Sequence, residues 1–175
     1  MLDSNIPVPV DPSAETLAVP LSELANQYHD KKLIVGVAII SLTKKLLLVR
    51  RSPDEDLYPS HYEIPGGGAE RELDSSLIMT AIRETREETG LKVERVLGVF
   101  DGFEYTTKKG VNIQFNLVVQ VECGAEETEP RVTLNPLEHD HHVWVDPSDD
   151  FVSMYPMSES MSKVVRDALK IVETL

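Results

Sequence analysis

The stretch Arg83-Glu84-Thr85-Arg86-Glu87-Glu88-Thr89-Gly90-Leu91 restricts this chain more than any other. It follows the glycine run Pro65-Gly66-Gly67-Gly68 and extends a helical pattern in which Leu77, Ile78, Ala81 and Ile82 form one apolar stripe. At about 100° per residue, Glu84 and Glu88 lie one turn apart with Glu87 beside them. The helix therefore carries an acidic edge next to its core face. Like charges at this spacing repel by roughly 0.2–0.5 kcal/mol. Glu87 and Glu88 also lie near the helix C-terminus, marked by Gly90, where the dipole favours cations. Two local penalties in one turn point to a compensating cation or a functional site. Mg²⁺ or Mn²⁺ suits carboxylate oxygens. From charge pattern alone, a solvated acidic face with Arg83 and Arg86 as counterions explains the run as well.

The wider stretch resembles the box of the Nudix hydrolases, G-x5-E-x7-R-E-U-x-E-E-x-G-U, where U is aliphatic. Arg83, Glu84, Glu87, Glu88, Gly90 and Leu91 match its second half, and Thr85 replaces an aliphatic residue. Glu63-Ile64-Pro65-Gly66-Gly67 resembles the strand and turn that lead into it. The resemblance implies an α/β fold, a Nudix-type α/β/α sandwich with a mixed β-sheet. It also implies a Mg²⁺- or Mn²⁺-dependent hydrolase that splits a diphosphate linked to another moiety, a nucleotide-type substrate being favoured. Glu87 and Glu88 are then the primary metal ligands, and Glu84 is a further ligand or orients water. A carbonyl at the glycine turn, taken as Gly67, faces the metal. Arg83 holds a glutamate in position by a charge-assisted hydrogen bond. Glu138, just before a strand containing Trp144, matches a loop glutamate that completes the metal site or acts as base. Base duty stays open among Glu84, Glu87 and Glu138.

The first half of the box departs from the pattern. Counting from Gly67 places its glutamate at Leu73, and counting back from Arg83 places it at Ser75, so the segment is two residues longer. Asp74 is the nearest carboxylate, with Glu70 and Glu72 further candidates. The missing glutamate supports a second reading, a catalytically weakened ligand-binding or regulatory protein. A third is an enzyme of specialised metabolism acting on an isoprenoid or lipid diphosphate.

Elsewhere, Lys32 to Leu42, continuously apolar from Leu33 to Ile40, predicts a strand buried on both faces. Lys45 to Arg50, with Leu46 to Val49 as its apolar part, predicts a second strand; Arg50 and Arg51 at its end either bind a substrate phosphate or flank the strand. Pro65–Gly68 reads as a tight turn, and Asp74, Ser75 or Ser76 as the N-cap of the central helix. Lys92 to Tyr105 predicts one or two strands with a bulge at Gly98, then a hairpin into Val111 to Val121, whose alternation Val118 breaks. Phe103, Tyr105 and Phe115 either contact substrate or fill the core. Gly124 to Pro130 reads as an acidic loop and Val132 to Leu134 as a short strand. His139, His141 and His142 read as loop residues rather than a dedicated transition-metal site. Ser158 to Leu175 has helical amphipathic spacing.

The expected organisation is an extended arm over 1–20 and one domain over 21–175. The arm packs on its own domain or on the second subunit of a homodimer. A net charge of −13 argues against nucleic-acid polymers and anionic membranes as partners, but not against a small diphosphate beside a bound metal. A single cysteine, Cys123, excludes an intrachain disulfide framework. With no signal-like start and no apolar run of spanning length, the expected location is cytoplasmic.

Overall fold

Strand β1 (Lys31–Ile40) is apolar along its length because it lies at the centre of a sheet covered on both faces. In a computed structural model of the protein, Leu33, Val35, Val37 and Ile39 enter one core while Ala38 and Ile40 enter another. The structure describes residues 3, 6–124 and 127–174. Met1, Leu2, Ser4 and Asn5 of the expected arm, Ala125 and Glu126 of the acidic loop, and Leu175 of the terminal helix lie outside the described residues.

The remaining strands are β2 (Leu46–Arg51), β3 (Tyr62–Glu63), β4 (Gly66–Gly68), β5 (Val93–Thr107), β6 (Gly110–Val121) and β7 (His139–Val145). Their order is β3-β2-β1-β6-β5, with β4 also paired to β1 and β7 to β2. The β1–β6 pair is parallel and the others are antiparallel, so the sheet is mixed. Helices α1 (Leu21–Gln27) and α2 (Leu77–Thr89) cover one face; α3 (Phe151–Met154) and α4 (Glu159–Thr174) cover the other. The result is an α/β/α sandwich. Val118 breaks the alternation of β6 because it belongs to the α4-side core, whereas Leu117, Val119 and Val121 belong to the α2 side. On the α4 side, the buried Gln114 amide donates to Asn116 Oδ1 (2.8 Å) and Asn116 Nδ2 to the Asp101 carbonyl (2.6 Å).

Three local expectations change. Gly66–Gly68 is not a plain turn but a short strand, pairing Gly66 with Gly36, Gly67 with Val35 and Gly68 with Ile34. A Cβ at Gly66 would strike the Val35 carbonyl, so this close approach needs glycine. Val132–Leu134 is not a strand. Its neighbourhood caps α2 instead: Thr133 N–H donates to the Thr89 carbonyl (2.8 Å) and Asn135 N–H to that of Glu88 (3.0 Å). These bonds satisfy carbonyls that a helix end leaves open. Within the expected arm, Pro12–Leu17 is a 3-10 helix rather than extended chain, because Ala14 and Leu17 enter the α2-side core. Just before it, Val10 bridges to Val96 of β5, so this part of the arm packs on its own domain. Among the described residues, no helix is long and apolar enough to cross a membrane.

Candidate metal centre

Helix α2 is set by both its ends. Ser76 is the N-cap, its hydroxyl accepting from Met79 N–H at 3.3 Å, and Gly90 closes the helix at φ 70°. This phase turns Glu84 and Glu88 inward, where they are 8% and 4% exposed. The acidic edge expected beside the core is thus partly within it. Glu88 Oε2 accepts from Gly66 N–H at 2.9 Å. Burial pushes the Glu88 carboxyl well above the ordinary range against that hydrogen bond, and the charges of Glu84, Glu63 and Glu138 push the same way. Glu84 is also raised, chiefly by burial and against the Arg83 charge. Its carboxylate lies against Gly67, where a Cβ would come within 2.8 Å of Oε2. A side chain at Gly67 would displace it.

At the start of β7, the Glu138 carbonyl accepts from Ser52 N–H (2.7 Å), and its Oε1 accepts from Asn135 Nδ2 (2.8 Å). His139 is 2% exposed; its Nε2 lies 3.3 Å from Glu63 Oε1, and its Nδ1 is buried without a hydrogen-bond partner among the described residues. Glu88, Glu138 and His139 each offer a ligand atom, all within 4.8 Å of one another. Two carboxylates, a buried imidazole nitrogen without a partner and the raised Glu88 fit a divalent cation.

Arg83 organises the flank of this group. It grips Asp74 with two bonds, Nε to Oδ1 (3.0 Å) and Nη2 to Oδ2 (2.9 Å). It also donates to Glu84 (2.9 Å), Glu87 (2.9 Å) and the Gly68 carbonyl (3.0 Å). Asp74 further accepts from Glu70 N–H (2.9 Å) and Thr80 Oγ1 (3.0 Å). Burial alone would raise the Asp74 carboxyl, but Arg83 and these donors hold it below the ordinary range. Asp74 therefore faces Arg83 rather than capping the helix. Glu70 comes no nearer to Arg83 than 4.0 Å, and Glu72 is exposed.

The other expected site residues separate. Glu87 is exposed at the margin, tied to Arg83 and outside the group of Glu88, Glu138 and His139. Arg50 makes a two-bond pair with Asp140 (2.8 and 3.0 Å). Arg51 donates to Glu63 (2.9 Å), Glu55 (2.8 Å) and the Leu57 carbonyl (2.7 Å). Phe103 and Tyr105 pair at 5.5 Å between ring centres, and the Tyr105 hydroxyl, raised by burial, lies within the fields of Glu63 and Arg51. Phe115 does not join them: it packs edge-on to Tyr28 against the α2-side core. His141 Nδ1 lies 3.1 Å from the Tyr62 hydroxyl, and burial lowers His142. His139 and Glu63 were not among the expected site residues. The histidine cluster of His139, His141 and His142 and the adjacency of His139 to Glu138 were its signals in the sequence; the three are strand rather than loop residues, and the pairing of β7 with β2 buries His139.

A family model described as "NUDIX domain" matches residues 30–168. The chain is similar to the m7GpppN-mRNA hydrolase NUDT17 of Xenopus laevis, with 30% identity over 136 residues, covering 71% of this chain and 45% of that protein. It is also similar to the uncharacterized Nudix hydrolase NudL of Pectobacterium atrosepticum, with 39% identity over 77 residues, covering 39% of this chain and 40% of that one. The chain spans about half the length of the curated relatives it matches, or less. Among solved structures, the MutT protein from Methanosarcina mazei Go1 superposes with a TM-score of 0.62 at 21% identity, over 82% of this chain and 94% of that one. The NUDIX domain of Shewanella oneidensis NrtR complexed with ADP ribose gives 0.63 at 17%, over 81% and 88%. At these identities the structures establish a common fold.

Proposed function

The chain belongs to the Nudix family, and from that premise we propose that it hydrolyses a diphosphate linked to another moiety, with a divalent metal held by Glu88 and Glu138. One observation carries this reading: a ligand atom of the buried Glu88 carboxylate lies within 4.8 Å of ligand atoms of Glu138 and His139. Bound Mg²⁺ or Mn²⁺ supplies charge neutralisation at phosphoryl oxygens and makes water more acidic. Glu84, whose proton affinity burial raises, takes the proton of the attacking water. The water oxygen bonds to one phosphorus, the bridging P–O bond breaks, and its electron pair leaves with the departing phosphate. Arg83 fixes Glu84 and Glu87 by charge-assisted hydrogen bonds. Gly67 leaves room for the Glu84 carboxylate. Glu87 would have to give up its contact with Arg83 to act as a further ligand.

A nucleotide-type substrate suits the Phe103–Tyr105 pair, on which a base can stack. Arg51, bonded to Glu55 and Glu63, serves as a support rather than a phosphate contact. Arg50 reaches a phosphate by releasing Asp140. The weakened-module reading relied on the missing glutamate before the helix. With Asp74 bonded twice to Arg83, that support weakens.

The test is turnover with Mg²⁺ or Mn²⁺ over nucleotide sugars, dinucleotides, nucleoside triphosphates, prenyl diphosphates and an m7GpppN-capped RNA, the last because two relatives are named for it. The net charge of −13 favours small substrates over the polymer. Turnover of a nucleotide diphosphate that falls roughly 100-fold or more in Glu88→Gln supports the proposal. Saturable ligand binding without turnover in the unaltered protein would replace it with the binding-module reading. Turnover restricted to prenyl diphosphates would move the substrate class.

A further inference from the structure

We infer that His139 is a nitrogen ligand of this metal centre, making it a mixed oxygen–nitrogen site that favours Zn²⁺ or Co²⁺ over Mg²⁺. The inference rests on the proposal that Glu88 and Glu138 hold a divalent ion. Three observations carry it further. First, the His139 ring is almost fully enclosed, with Nδ1 buried and without a partner, whereas His141 contacts Tyr62 and lies outside the metal group. A buried ring nitrogen left without a hydrogen bond is unfavourable unless something binds there.

Second, the opposite nitrogen is fixed. Nε2 faces Glu63 Oε1, and Glu63 is itself held by Arg51 Nη1 at 2.9 Å. An ionised carboxylate only accepts hydrogen bonds, so it places the ring proton on Nε2 and leaves Nδ1 as the lone-pair nitrogen. Arg51, Glu63 and His139 thus form the arrangement in which a carboxylate orients a metal-binding imidazole. Third, the spacing suits a shared ion. One ring nitrogen of His139 and one carboxylate oxygen each of Glu88 and Glu138 lie within 4.8 Å of one another. Ligand atoms around one small divalent ion lie roughly 3–4 Å apart, so a modest contraction that turns Nδ1 to the ion brings them together. Carboxylates alone suit Mg²⁺ or Mn²⁺, while an imidazole shifts preference towards Zn²⁺ and its transition-metal neighbours.

The experiment is pulsed electron paramagnetic resonance of the full chain loaded with Mn²⁺, alongside competition of Zn²⁺ against Mg²⁺. Nitrogen-14 coupling of a directly bound imidazole is expected in the unaltered protein and in His141→Gln. In His139→Gln the coupling is expected to vanish while Mn²⁺ remains bound, about 10–100-fold more weakly. The Zn²⁺-to-Mg²⁺ affinity ratio should fall at least about tenfold in the same variant. Bound Mn²⁺ without nitrogen coupling in the unaltered protein would overturn the role of His139 and leave the carboxylate site standing. No bound Mn²⁺ would remove both. Circular dichroism shows whether His139→Gln folds, and if it does not, the unaltered protein's spectrum decides. Glu63→Gln offers a second route: it should keep the coupling but weaken Zn²⁺ binding, and unchanged Zn²⁺ binding would remove the orienting role of Glu63.

Discussion

Arg83 touches three carboxylates and a carbonyl, yet only Asp74 receives two of its hydrogen bonds. Asp74 is buried and Arg83 half-buried, so removing the carboxylate deprives the guanidinium of its two-bond partner while Glu84 and Glu87 remain. Asp74→Ala should cost about 2–3 kcal/mol, measured by urea unfolding. Asp74 is held below the ordinary carboxyl range, so its contribution is present above its unfolded value of about 3.9 and is lost as pH falls through the lower folded value. The stability gap between the unaltered protein and Asp74→Asn should therefore narrow only in acid below about pH 4. A gap equally wide at pH 3 and pH 7 would show that the charge of Asp74 is not what matters. Thr85 presents the converse case: the box favours an aliphatic residue there, and its fully buried Oγ1 has no partner among the described residues. Thr85→Val keeps the shape and removes the orphan, and should stabilise by about 1 kcal/mol, seen as a melting temperature raised by a few degrees.

At the level of elements, the C-terminus of α2 is coupled to the start of β7 through Asn135. Its N–H donates to the Glu88 carbonyl, its carbonyl accepts from the amides of Glu138 and His139, and its side chain donates to Glu138 Oε1. Glu88 and Glu138, 50 positions apart, are thus joined by one asparagine between helix and strand. Asn135→Ala should weaken Mn²⁺ binding about 10-fold while α2 stays formed, by titration calorimetry and circular dichroism. At the other end of α2, Ser76→Ala removes the N-cap and should cost about 1 kcal/mol of stability, with Mn²⁺ affinity changed far less than in Asn135→Ala. Were the cap variant the weaker binder, Asn135 would not be the link that positions the carboxylates.

For the whole molecule, the acidic balance and the fold act together. The sheet turns β7 and α2 towards one another and concentrates carboxylates that repel without a cation. A divalent ion that binds only the folded state should stabilise it by about 2.7 kcal/mol at one hundred times its dissociation constant. Mn²⁺ should accordingly raise the melting temperature of the unaltered protein and leave Glu84→Gln/Glu88→Gln nearly unmoved. Equal shifts in the two proteins would remove the case for a metal at this helix.

By itself the sequence determined the elements whose pattern is local. Helix α2 follows from its apolar spacing and Gly90, β1 from its unbroken apolar run, and α4 from its amphipathic repeat. The box residues follow from order and spacing, which need no third dimension. Only the tertiary structure decided that Glu88 turns inward while Glu87 stays exposed, and that Asp74 spans the lengthened segment to Arg83. It also placed Phe115 on the far face from Phe103 and buried His139 but not its histidine neighbours. Those outcomes depend on which face of a strand or helix meets a partner distant along the chain, as β7 meets β2. A residue's environment there is supplied by segments that its own neighbours do not specify.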